Sequence, residues 1–597
     1  STLTSHLPNF SPSHALKVSK SLFLILHFTL FIFHFSIVQA IEVGGHLTQD
    51  TTWYPVNNPY EVVDNVFVDA GVTLTILPGV EVIIQSAQLT SWDDFNDYFW
   101  YQYGNNTAKM IWVNGNIIAE GTVEDSITFT HDQDDFNYYW GCIYIDENSE
   151  MPVFKHCIVE YSGGTGIAVG NIARAAITIH NGMGIIKECV FRNNGMDFSA
   201  SHVYTRNIEV IGCSFYCDII NYFVLHIWGN FHLSISQAEE NYKPALVANN
   251  YFSSRYKGFP SVFFINNINV SCLGLQTYAQ NVRRSYFYNN DYTNCTTGIY
   301  GGDPGDSIFI KNNRFINGTD GLDLDEAYVE ISENYFSGCG IEGPCQVELI
   351  GIVKNNVITN TNIAISGRYE EMFNNIFYNC DKVGSVIGSS NSYLNNLLIN
   401  NEELCDLLAD TPVIENNIFI GNGMDDVEIM NNPIFRNCIT DFPIEDPLID
   451  GGGNIIVDSL QAQSIFEDIQ NGDFHLVTGS IAIDAGFDTL GYYYPFDLDY
   501  NQRVWDGDGN GTAIIDIGPY EYGAPAFGGI QGSTYDPVSG LPVDYVLIKI
   551  DNIAGEFTFS DSIGNYEYKL PAGVYDVYAE RVFYDDAVEY QIEVFDG

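Results

Sequence analysis

Through the middle of the chain an asparagine stands two positions before a large apolar residue again and again. The pairs are Asn313 and Phe315, Asn334 and Phe336, Asn356 and Ile358, Asn375 and Phe377, Asn396 and Leu398, and Asn417 and Phe419. Successive asparagines are separated by 21, 22, 19, 21 and 21 residues. A period this short, in segments rich in Asn, Gly, Ile and Phe and poor in helix formers, fits one coil of a stacked β-solenoid whose strands pair with the coils above and below. Paired strands lie about 4.8 Å apart, so asparagines at one register position predict a ladder of hydrogen-bonded amides inside the coils. Such a ladder satisfies polar groups that are otherwise costly to bury.

Upstream, residues 62–84 and 111–130 alternate apolar and polar positions in strand period, with Gly71 and Pro78-Gly79 as corners. A loop rich in Tyr, Trp, Asp and Asn, residues 92–107, interrupts them. The segments G-V-T-L-T-I-L-P-G-V (71–80) and I-I-A-E-G-T (117–122) resemble the opening coils of secreted bacterial right-handed parallel β-helix proteins. The likeness extends to about residue 434, with an irregular stretch at 219–281 where coils carry insertions. It implies an all-β chain, a right-handed parallel β-helix with coils of about 21 residues.

Beyond residue 435 the composition changes. S-I-A-I-D-A-G (480–486), D-L-D-Y-N-Q-R (497–503) and D-I-G-P-Y-E-Y-G (516–523) resemble the tail of the bacterial surface-protein family called choice-of-anchor Q. The matching positions are Asp484, Gly486, Asp497, Arg503, Asp516, Gly518, Tyr520 and Glu521; the resemblance implies export and no activity. After Gly523-Ala524-Pro525 come short alternating strands, V-L-I-K-I, F-T-F-S, Y-E-Y-K-L and Y-D-V-Y-A, similar to carboxypeptidase regulatory-like domains, a small antiparallel transthyretin-like β-sandwich. The expected organisation is a signal peptide at 1–40, the β-helix with its N-terminal cap at 41–435, the end of the helix and the tail at 436–526, and the sandwich at 527–597. The chain begins without methionine and stops just after that last unit, so an anchoring signal is expected to lie beyond it.

Residues 1–40 contain no acid, carry Lys17 and Lys20, run apolar from Leu22 to Val38 and end in Val38-Gln39-Ala40, the pattern of a secretory signal. A single membrane anchor is the competing reading of the same run. Removing the segment takes the formal charge from −53 to −55, because two lysines and no carboxylate leave with it. So acidic a protein repels nucleic acid and anionic membranes, and suits a secreted or cell-surface location such as the outer face of a bacterial envelope. Export makes disulfides the first expectation for the twelve cysteines. Register opposes it for Cys157, Cys189 and Cys213, which precede Val159, Phe191 and Phe215 at the position asparagine fills later. Cys339 and Cys380 fall at coil corners, and only Cys339 with Cys345, inside G-C-G-I-E-G-P-C, is a local disulfide candidate.

No H-E-x-x-H, G-x-S-x-G, phosphate loop or dinucleotide fingerprint is present. The strongest candidate for chemistry is N-G-T-D-G-L-D-L-D-E, residues 317–326. Strand alternation sends Leu322 and Leu324 inward and leaves Asp323 and Asp325 on the outer face about 7 Å apart, a spacing suited to binding calcium or to acid and base roles at a glycosidic bond. Aligning the preceding coil places Tyr300 beside Asp323. The segment, with Asp320, resembles the N-T-D-G-x-D motif of polygalacturonases, but that family's G-H-G and R-I-K are missing. A lyase would also need a basic residue; Lys311, Arg314, Lys354 and Arg368 lie within neighbouring coils and spacing selects none of them. The plain alternative is an ordinary coil with a solvated face. Asp506, Asp508 and Asn510 match the start of a calcium loop, whose twelfth position is Ile517 instead of glutamate. Aromatic residues at 92–112 and 136–140 serve as a cap for the helix end or as a glycan-stacking surface.

Two functions follow. The first is a non-catalytic exported or cell-surface scaffold or adhesin that binds polysaccharide or other cell-surface material. The alternative is a calcium-dependent polysaccharide lyase or glycoside hydrolase centred on Asp320, Asp323 and Asp325.

Overall fold

The computed structural model describes residues 40–595 apart from 89–107, 134–137, 147, 163–174, 180–182, 195–197, 203–207, 217–222, 230–244, 254–255, 260–261, 271–273, 278–283, 302–306, 325–326, 343–350, 368, 387–391, 405, 408–412, 425–428, 430–431, 488–493 and 552–555. The predicted signal, Asp325, Arg368 and Cys345 lie outside the described residues, as do Trp92 and Trp100 of the aromatic loop.

Three stacks of parallel strands make a β-solenoid. The first face holds the strands after the asparagines, such as Arg314–Ile316, Tyr335–Ser337 and Val357–Thr359. The second holds Thr297–Gly301, Asp320–Leu324 and Gly340–Glu342, and the third Ser307–Lys311, Tyr328–Ser332 and Gly351–Lys354. Each strand pairs in parallel with its counterpart one coil on, as Phe315 with Phe336, Phe336 with Ile358 and Ile358 with Phe377. Stacking continues to Ile455–Ile456. The predicted inward row is buried, and where it is aromatic the rings lie face to face: Phe315 and Phe336 have centroids 4.6 Å apart at 2°.

The amide ladder is present and longer than the six predicted members. Asn250, Asn267, Asn290, Asn313, Asn334, Asn356, Asn375, Asn396 and Asn417 follow one another in the core. Each Oδ1 beyond the first accepts from the backbone N–H of its predecessor, as Asn334 donates to Asn356 at 3.0 Å and Asn375 to Asn396 at 3.0 Å. Nδ2 donates to a carbonyl of the coil below, as from Asn334 to Ile310 at 2.8 Å. Cys157, Cys189 and Cys213 are free, buried thiols, and each Sγ makes the corresponding contact to a carbonyl of the previous coil.

The residue before each ladder position explains why asparagines come in pairs. Asn312, Asn355, Asn374, Asn395 and Asn416 turn the corner with φ between 54° and 58°. Asparagine tolerates this left-handed conformation better than other side chains. A second corner, at Asn317, Asn360, Asn379 and Asn400, repeats the device. There a shorter ladder runs from Cys380 through Asn401 to Asn422. Cys339 belongs to this corner and is a free thiol, contrary to the expected bridge with Cys345; its Sγ faces the Ser337 carbonyl and burial pushes it up to about 11. Cys295, in the same column, is disulfide-bonded.

The chain then folds back along its own flank. From Val457 to Ile517 it packs on the outer side of the first face, against Ile376, Leu397, Ile418 and Ile439. Residues 529–594 form a two-stranded and a four-stranded antiparallel sheet around a shared core. This unit lies on the outer side of the third face, where Phe557 and Phe559 meet Phe263, Tyr286 and Tyr288. Among the described residues no helix is long and apolar enough to cross a membrane.

Candidate functional sites

The second face carries the predicted acidic strand. Leu322 and Leu324 point inward and are buried, Asp323 is half-buried, and the register sets Tyr300 opposite Asp323 and Ile299 opposite Leu322, as expected from the sequence. Asp320 begins the strand half-buried, and loss of solvent raises its carboxyl above the ordinary range. Gly321 has a packing reason: a Cβ there would come within 2.7 Å of the Phe336 ring. Gly298, one coil earlier, faces Phe315 in the same way. The glycine that contributes to the polygalacturonase-like spelling is thus required by the stacked rings beneath it.

Of the basic residues weighed for a lyase, Lys311, Lys354 and Arg314 lie on other faces, and Arg368 lies outside the described residues. Lys311 and Lys354 end third-face strands and are 2% exposed, both held by Glu556 of the C-terminal unit at 2.9 and 2.8 Å. Lys311 also meets Glu333 and the Tyr568 hydroxyl at 2.9 Å, and Lys354 meets Glu330 at 2.9 Å. Burial alone would raise Glu556, but the two ammonium groups outweigh it and hold the carboxyl at about 2. Arg314 lies on the first face, paired with Asp291 at 2.7 Å. This cluster fastens the C-terminal unit to the coils and is no part of the second face.

The calcium-loop residues part company. Carboxylate oxygens of Asp484, Asp506 and Asp508 lie within 4.8 Å of one another, and Oδ1 of Asp484 and of Asp506 is buried with no hydrogen-bond partner. Asn510 instead donates through Nδ2 to Asp508 at 2.9 Å and accepts from the Thr512 N–H, so Asp484 takes the place expected for it. Ile517 is buried in the tail core, and Asp516 accepts from the N–H groups of Asp484 and Tyr522. The three carboxylates are hard oxygen donors of the kind calcium takes.

A site that the sequence reading missed is the outer asparagine column. The corner asparagines bond to the tail one after another: Asn355 to the Tyr494 hydroxyl at 2.6 Å, Asn374 to the Phe496 carbonyl at 3.1 Å, Asn395 to the carbonyls of Asp516 and Gly518 at 3.0 Å, and Asn437 to that of Ala485 at 2.9 Å. Asn416 makes a two-way amide pair with Phe487, accepting its N–H and donating to its carbonyl at 2.8 Å each. The tail motif supplies the other half. Fully buried Arg503 donates to Glu521, Asn374 and the Gly518 carbonyl, and Asp497 accepts from the N–H groups of Asp499, Asn501 and Glu521. The available signal was the strand composition: I-F-Y (376–378), L-L-I (397–399) and I-F-I (418–420) are apolar on both sides, which marks a strand covered on both faces.

No protein-family model matches the chain, and no curated protein matches it. The class is therefore carried by the architecture: an all-β protein whose long parallel stacks are those of a β-solenoid, with its own C-terminal segments laid on two of the three faces.

Proposed function

We propose that this chain is a non-catalytic scaffold or adhesin, a right-handed parallel β-helix at the cell surface or secreted from it, binding polysaccharide or other cell-surface material. The observation that carries the reading is the commitment of charge: Lys311, Lys354 and Arg503 are buried in clusters that lock the coils, tail and C-terminal unit together. A body fastened along two flanks suits rigid display. The choice-of-anchor Q likeness of residues 480–523 and the carboxypeptidase regulatory-like likeness of the last unit agree with a surface protein, and the acidic charge with an exported one.

Calcium is the cofactor the tail would hold, through Asp484, Asp506 and Asp508. Its effect there is to neutralise three carboxylates and join the 484 turn to the 506–511 loop. The enzymatic alternative, a calcium-dependent lyase or glycoside hydrolase, is favoured by one feature: Asp320, whose carboxyl is raised by loss of solvent, stands in the same strand as Asp323.

The test is incubation of the protein with a panel of neutral and acidic polysaccharides, in calcium or in EDTA, scoring retention and chain cleavage together. Retention without cleavage is expected. Cleavage that disappears in Asp320→Asn or Asp323→Asn would establish the enzyme instead, and neither retention nor cleavage would remove the glycan from the reading.

A further inference from the structure

Three cysteines stand one above another where the ladder has no asparagine. Ile158 pairs with Val190 and Val190 with Ser214, while Lys155 pairs with Lys187 and Lys187 with Ile211. Cys157, Cys189 and Cys213 therefore hold one register position on three successive coils, each just after a left-handed corner at His156, Glu188 or Gly212. The column is closed below by Ile127, in register with Cys157, and above by Asn250, whose Oδ1 accepts from the Cys213 N–H at 2.8 Å. Only Cys189 has a cysteine on both sides.

As thiols the three do what a ladder amide does, each facing a carbonyl of the coil before it. They also meet one another. The Cys189 N–H donates to the Cys213 Sγ at 3.4 Å. Burial alone would raise the Cys189 thiol, but its side-chain hydrogen bonds with Cys157 and Cys213 outweigh burial and hold it below the ordinary range. Burial and the contact with Cys189 push the two outer thiols up, so the central one ionises first, and the thiolate is the attacking form. Paired strands lie about 4.8 Å apart, inside the roughly 4.4–6.8 Å between Cα atoms that a disulfide spans. Cys157 and Cys213, two coils apart at about 9.6 Å, lie outside it. The coils hold a disulfide elsewhere, at Cys295 of the second corner column.

We propose that this column is a covalent staple between coils, a disulfide that Cys189 makes with either Cys157 or Cys213 while the third thiol stays free. The oxidant is a disulfide donor met while the coils are closing, since each cysteine of the finished column is 1% exposed. The Cys189 thiolate attacks one donor sulfur and displaces the other; a neighbouring thiolate then attacks the Cys189 sulfur and displaces the donor. The donor leaves as two thiols, carrying two electrons and the two cysteine protons. The remaining outer thiolate can attack Cys189 in turn and release the opposite partner, so the bond moves along the column without further oxidation. The staple closes 32 residues in one form and 24 in the other, and ties coils upstream of Asn250, where the amide ladder has not begun.

The test uses the full chain, folded in a glutathione buffer oxidising enough to keep Cys295 bonded. Free thiols are alkylated in denaturant and tryptic peptides are mapped without reduction; Lys187 and Arg192 put the three cysteines on separate peptides. Links from Cys189 to Cys157 or to Cys213 are expected, with none from Cys157 to Cys213. Cys157→Ser should leave only the Cys189–Cys213 bond, Cys213→Ser only the Cys157–Cys189 bond, and Cys189→Ser neither. Serine keeps a donor for the carbonyl in each variant. Dithiothreitol should lower the melting temperature of the wild type more than that of Cys189→Ser. The proposal is overturned if all three cysteines are alkylated while Cys295 is not, if Cys157 pairs with Cys213, if a link to the Cys213 peptide persists in Cys213→Ser through Cys217, or if dithiothreitol shifts both melting temperatures equally. The polysaccharide panel reads a ligand and not a bond, so the two ideas fail separately.

Discussion

Asn375 shows what one residue does in this protein. Its Oδ1 accepts two hydrogen bonds from Asn356, and its Nδ2 donates to the carbonyls of Val353 and Phe373 and to Asn396. Asn375→Leu keeps the branching of the side chain with bulkier methyl groups and strands those partners in a dry interior, where each unpaired group costs about 1–3 kcal/mol. The expected loss is about 3 kcal/mol or more, read as a lower urea midpoint. Asn375→Cys is expected to lose less, because Cys157, Cys189 and Cys213 perform the same role with a thiol; equal losses for the two variants would remove that equivalence. The ladder position was legible from spacing alone. The preceding asparagine was not, because left-handed backbone and outward bonding are properties of the corner, which only the folded coil defines.

At the scale of elements, the strand Asp320–Leu324 has Leu322 and Leu324 inward as read from the sequence, and the glycine of its motif answers to the ring packed beneath it. Gly321→Ala brings a Cβ within 2.7 Å of the Phe336 ring and should destabilise by about 1–3 kcal/mol through overpacking, with no specific effect on glycan retention. A variant that kept its melting temperature but lost retention would point back to a binding role. In the tail, calcium is expected to raise the melting temperature and EDTA to reverse it, with both effects absent in Asp484→Asn and Asp506→Asn. The loop motif found Asp506 and Asp508. Asp484 stands more than twenty residues away in sequence and joins them only because the tail turns back on itself.

At the scale of the whole molecule, the C-terminal unit is held by buried charge. Glu556 is depressed from its unfolded value to about 2, so its stabilising contribution is complete above about pH 4.5 and lost as pH falls through about 2. The wild-type unit should therefore remain docked at pH 4, judged by protease resistance of the 523–529 connection. Glu556→Gln leaves Lys311 and Lys354 buried without their shared carboxylate and should release the unit at neutral pH, since breaking a buried pair costs about 3–5 kcal/mol. Retained protection in that variant would show that the aromatic contacts of Phe557 and Phe559 suffice. Lys311 and Lys354 were weighed as catalytic bases because they lie within neighbouring coils; the third face, reached only by folding back the C-terminus, gives them another task.

The sequence by itself determined the coil. Its period, its ladder, its inward row and the burial of the stacked cysteines are local regularities, and a solenoid repeats one local interaction with its nearest neighbours. Tertiary structure decided everything that crosses coils at long range: which faces are covered, which charges are spent on holding them, and which carboxylates meet. Those contacts join residues as distant as Glu209 and Arg581, where no periodicity links one partner to the other and only the path of the folded chain brings their charges together.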